Sequence, residues 1–119
     1  MRKVLIGVIG AQRRAGCTHT ALSVGGYLRE RKKTVAVAEM NATGAFAEIG
    51  EACLAEKGEG DCFRYGGIDY YPDASDRSVQ LLGLDYDFFV LDFGEYEIAD
   101  KLLFNKCDIC IVCSGSNAW

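Results

Sequence analysis

Four short apolar runs punctuate the chain: KVLIGVI (3–9), TVAVAE (34–39), DFFVLD (87–92) and CDICIVCS (107–114). The first three are close to continuously hydrophobic instead of alternating, the pattern of a strand covered on both faces in a parallel sheet, and the fourth reads as a last strand. Between the first two, Ala21, Leu22, Val24 and Leu28 recur at helical spacing and predict a helix from about Thr18 to Arg31. Gly25 and Gly26 inside it are costly by propensity, which makes sense where the helix packs closely on the sheet. Phe46, Ile49 and Cys53 predict a second helix over 44–57, and Ile98, Ala99, Leu102 and Leu103 another over 95–105. A short helix fits around 75–83. CFRY and IDYY flank Gly66-Gly67, the composition of a two-residue hairpin turn, so an edge hairpin is expected near 62–71, closed by Pro72. Strand and helix alternation of this kind predicts an α/β fold of three layers, helices on both faces of a mostly parallel sheet, joined by right-handed crossovers.

Composition narrows the function classes. The 119 residues suffice for one domain with one core, 1–119. No apolar run approaches the ~20 residues of a membrane helix. VLIGVIGA reads as a buried strand and not a signal peptide, because Arg13 and Arg14 stand where a small-residue cleavage site belongs. Thirteen basic against seventeen acidic residues, net −4, argues against DNA binding by this segment. The basic cluster Arg29, Arg31, Lys32 and Lys33 falls at a helix end, where cations complement the dipole. Six cysteines without a secretory signal imply reduced thiols and a cytoplasmic location. Cys107, Cys110 and Cys113 have the spacing of an iron–sulfur run. On a strand, however, residues three apart face opposite sides, and Cys107 and Cys113 would share a face about 20 Å apart. No iron–sulfur cluster is expected. His19 is the sole histidine, too little for a zinc site or a histidine-based triad.

The chemistry concentrates in three places. First, a strand feeding a glycine-bearing turn and then a helix gathers backbone amides and the positive helix end at one point, a phosphate-binding geometry. The stretch Ala11, Gln12, Arg13, Arg14, Ala15, Gly16, Cys17, Thr18 occupies that turn, with His19 next. Against the pattern G-x-x-x-x-G-K-S/T, Gly16 and Thr18 match and Cys17 stands at the lysine. Second, FFVLDFG ends an apolar strand in Asp92, which comes near Thr18 if its strand lies beside the first. Thr18 and Asp92 are then candidate magnesium residues, and Gly94 marks a turn suited to a phosphate sensor. Third, VAVAEMNATGAF carries Glu39 and Asn41 at the end of the second strand.

In order and spacing, VAVAEMN, YDFFVLDFG and CDICIVCSGS make the chain resemble ParA/MinD-type P-loop ATPases, over all 119 residues but only the first half or so of that family's fold. The resemblance implies ATP or ADP with magnesium as ligands, a homodimer or another protein as partner, and a C-terminal truncation. It also implies an acidic-x-acidic pair after strand two whose second aspartate orients water. Glu39 matches the first acid and Asn41 replaces the second, so no confident catalytic residue remains. The family's two lysines fall at Gln12 and Cys17. Losing a charge-assisted hydrogen bond of ~1.5–3 kcal/mol weakens nucleotide binding roughly ten- to a hundredfold, and lost transition-state stabilisation costs on the order of 10²–10³. The expectation is a degenerate member with weak or no hydrolysis, similar to the TadZ/CpaE proteins that position pilus machinery. Alternatives are a working ATPase using Arg13 or Arg14 for the lysine, and a Rossmann-type dinucleotide domain with Glu39 as the ribose-binding acid. The second lacks G-x-G-x-x-G. A receiver domain fails for want of an acidic pair after strand one.

Overall fold

The computed structural model describes residues 3–11, 16–41, 46, 56–57 and 62–114. Its elements run β1 (Val4–Gly10), α1 (Cys17–Glu30), β2 (Val35–Glu39), β3 (Glu56–Lys57), β4 (Phe63–Tyr65), β5 (Ile68–Tyr71), a 3-10 turn (Ser75–Arg77), α2 (Ser78–Leu82), β6 (Phe88–Glu95), α3 (Lys101–Asn105) and β7 (Ile109–Cys113). The strands form one sheet in the order β3-β4-β5-β2-β6-β1-β7. From β5 to β7 every neighbour pair is parallel, and β4 and β3 add antiparallel at the other border. This is the expected α/β fold with a mostly parallel sheet.

The runs of β1, β2 and β6 are explained by two cores, one on each face, whereas β7, last in the sheet order, is exposed or half-buried along its length. Ile6, Val8, Val35, Val37 and Val90 meet Cys17 and Ala21 of α1 on one side. On the other, Ile9, Ala36, Ala38, Phe89, Leu91 and Phe93 meet Leu81 of α2 and Phe104 of α3. Alternate residues of one strand thus feed different cores, so no position of β2 is left polar for solvent. Helix α1 lies close to the sheet at Gly25, where an added Cβ would come within 2.9 Å of Val37 Cγ2. Gly66 and Gly67 both take positive φ, 62° and 79°, so Tyr65 pairs with Ile68 across a two-residue turn that side chains of L-residues rarely allow.

Three expectations are corrected. The helix over 44–57 falls largely outside the described residues. Phe46 is helical and fully buried, but Glu56 and Lys57 are strand, paired with Arg64 and Phe63. The open ladder of β4 captures that backbone, and the hairpin near 62–71 is consequently not the sheet border. The helix over 95–105 shrinks to Lys101–Asn105. Strand β6 carries on to Glu95, and Asp100 sets the later start by accepting the Leu103 amide at 3.1 Å. Finally, Cys107 and Cys113 do not share a face. Cys107 precedes β7 and packs with the α2/α3 core, while Cys113 packs with the α1 core, so strand alternation cannot be counted from Cys107. Among the described residues no group of three or more potential ligands is placed to hold a metal ion, and no helix is long and apolar enough to cross a membrane.

Candidate functional site

β6 lies between β1 and β2, so its C-terminal end faces the beginning of α1 on one side and the end of β2 on the other. Asp92, in register with Val8 of β1 and Glu39 of β2, is fully buried. The register then slips: Val8 faces Asp92 but Ile9 faces Gly94, so Phe93 is an extra residue, a β-bulge. The bulge brings the Gly94 amide back onto the preceding side chain, where it donates to Asp92 Oδ1 at 3.1 Å. The other oxygen, Oδ2, accepts the Thr18 hydroxyl at 2.7 Å.

Thr18 reaches Asp92 because α1 starts where it does. Gly16 is the N-cap, in the left-handed region (φ 80°, ψ 21°), with no side-chain capping bond. Glycine takes that conformation without a Cβ penalty. The first-turn amides of any helix lack intrahelical acceptors and carry the positive end of its dipole. In α1 those amides sit at the same end of the sheet as the Thr18–Asp92 pair. Thr18 is therefore inside the first turn and is not the cap. Ala11 closes β1 by donating its amide to Cys113 O at 2.8 Å. Gln12, Arg13, Arg14 and Ala15 lie outside the described residues.

Cys17, at the lysine position, turns inward. It is buried, and its thiol lies 3.3 Å from Val8 O. Burial first, and then the neighbouring Asp92 carboxylate, push its pKa well above the ordinary thiol range. The side chain is thus a neutral packing group and supplies no charge at the helix start. His19 is exposed.

At the end of β2 the structure puts Glu39 and Asn41 to work on the main chain. Glu39 is fully buried, its Oε2 accepting the Phe46 amide at 3.2 Å and its Oε1 the Asp73 amide at 3.0 Å. A carboxylate so engaged is not presented to a ribose. Asn41, also buried, donates Nδ2 to Asp92 O at 3.0 Å. Sequence reasoning brought Thr18 and Asp92 together, and it singled out Gly94 only as a turn. It missed the grip of Gly94 on the carboxylate and that of Asn41 on the carbonyl. No motif signals either: the first depends on the bulge at Phe93 and the second on a side chain reaching across from the end of β2. No protein-family model matches the chain, nor does any curated protein.

Proposed function

We propose that the chain is a degenerate P-loop NTPase-like domain of the ParA/MinD type, which holds ATP or ADP with magnesium weakly at the start of α1. On this reading it hydrolyses nucleotide poorly or not at all and acts through protein contacts, in localisation or partitioning-type regulation. The observation that carries the reading is the 2.7 Å bond from Thr18 Oγ1 to Asp92 Oδ2 beside the first turn of α1.

The residues fit a magnesium ion. A threonine hydroxyl that gives its proton to a carboxylate keeps its lone pairs for a cation, and Asp92 supplies the negative charge one bond away. Bound there, magnesium would neutralise phosphate charge. The chain's own groups would do the rest: first-turn amides for the phosphate oxygens, Gly94 and Thr18 to orient Asp92. Two observations favour binding over turnover. Cys17 buries a neutral thiol against Val8 O and beside Asp92, and Asn41, uncharged, is committed to the Asp92 carbonyl. The first supplies no positive charge for the phosphates, and the second cannot accept a proton from water.

Thermal shift with magnesium and ATP, ADP or NAD, paired with a phosphate-release assay, tests the reading. At 5 mM ligand and a Kd of ~0.1–1 mM, linkage gives about 1–2 kcal/mol, or roughly 4–9 °C for a domain this size. A magnesium-dependent shift with ATP and negligible phosphate release is expected. Phosphate release abolished by Arg13→Ala or Arg14→Ala would favour the working ATPase instead, and a shift with NAD alone would favour the Rossmann-type dinucleotide reading.

A further inference from the structure

Asn41 stands where the family resemblance expects a water-orienting acid, yet its surroundings give it different work. Its Nδ2 donates to Asp92 O at 3.0 Å, and the same carbonyl accepts the Met40 amide at 2.8 Å. The body of the side chain lies against Gly94: a Cβ added there would come within 3.3 Å of Asn41 Cβ and Nδ2. Gly94 in turn donates its amide to Asp92 Oδ1. One side chain, 7% exposed, therefore touches both ends of the Asp92–Phe93–Gly94 bulge. A bulge interrupts the regular ladder, so what fixes its geometry must come from outside the strand.

We infer that Asn41 is a positioning residue: reaching across from β2, it clamps the β6 bulge so that the Asp92 carboxylate stays turned toward Thr18. The inference rests on Thr18 and Asp92 being the ligand-facing pair. The chemistry favours an amide at 41 over an acid of the same shape. An amide has N–H groups to give to the Asp92 carbonyl, whereas an ionised aspartate has none and sets a charge against that oxygen. Restoring the family's acid would therefore loosen the site it is meant to complete.

Asn41→Asp and Asn41→Ala test this, read first without ligand by NMR of the Gly94 amide. Losing the clamp should shift that proton upfield and speed its hydrogen exchange about tenfold, the factor expected for one lost hydrogen bond. The amide of Val37, deeper in β2, should keep its protection. In the same variants the magnesium-ATP thermal shift should fall by half or more. Should Asn41→Asp not fold, Asn41→Ser, too short to reach the carbonyl, supplies the measurement. A Gly94 amide unchanged in shift and exchange while the melting temperature drops would overturn the inference and leave Asn41 an ordinary structural residue. Absence of any nucleotide shift in the unmodified protein would instead defeat the proposed function, with the Gly94 signal still deciding the role of Asn41.

Discussion

Thr18→Ala is the substitution on which most depends. Asp92 is fully buried, and the Thr18 hydroxyl approaches its Oδ2 at 2.7 Å, while the Gly94 amide at 3.1 Å serves Oδ1. Alanine strips Oδ2 of that donor without touching the apolar core. Hydrogen bonds to charged groups contribute about 1.5–3 kcal/mol, and orphaning a buried acceptor costs on the same scale. Unfolding a chain of 119 residues changes the entropy by about 0.25 kcal/mol/K, at ~2.1 cal/mol/K per residue. The apo melting temperature should therefore fall by roughly 6–12 °C. Thr18→Ser, which keeps the hydroxyl, should stay within about 3 °C of the parent by the same conversion. Circular-dichroism melts at neutral pH without nucleotide give the comparison. Repeating them with magnesium-ATP should show the ligand shift abolished in Thr18→Ala and retained in Thr18→Ser. An apo drop under about 2 °C, smaller than one lost charged hydrogen bond, would refute the short contact and with it the reasoning from that pair.

The neighbouring glycines of α1 should respond with opposite signs. Gly26→Ala meets no atom within 4 Å and should gain up to ~1 kcal/mol of helix propensity. Gly25→Ala, 2.9 Å from Val37 Cγ2, should lose about 1–2 kcal/mol net of that gain to overpacking. Urea titrations of the two variants decide it, and equal effects would discredit the close approach of α1. At the hairpin, Arg64 grips Asp69 through both oxygens, at 2.7 and 3.1 Å, and Tyr86 adds a hydroxyl at 2.6 Å. The guanidinium of Arg64 chiefly, opposed by partial burial, holds the Asp69 carboxyl below its ordinary 3.8. Because the folded value is the lower one, the stabilisation is fully present above about pH 4 and is lost as pH falls further. Asp69→Asn should flatten the acid limb of stability below about pH 4. Parallel limbs for the two proteins would count against the pair.

The strands were legible because burial on both faces leaves a crude signature: VLIGVIG, VAVAE and FFVLD are hydrophobic at nearly every step, and each is a strand. The hairpin was legible because Gly66-Gly67 has few other uses. The meeting of Thr18 and Asp92 was expected on the condition that β6 lies beside β1, which it does. What escaped was set by single backbone irregularities. Ile98 and Leu102 show helical spacing, yet they are exposed, so the period there carried no burial and misplaced the start of α3. Glu56 and Lys57 joined a sheet because β4 offered them a ladder, which their own side chains do not announce. The grip of Gly94 on Asp92 hangs on the register slip at Phe93, and a one-residue slip has no composition to read.

That slip has a consequence for how the domain can change over generations. A bulge is an inserted residue the sheet already tolerates, so losing one codon at Phe93 would return β6 to even pairing with β1, but it would also take a fully buried ring from its place against Phe104. The amide that now folds back on Asp92 would instead join the ladder. A single in-frame deletion would thus silence the carboxylate and weaken the core beneath α3 in one step.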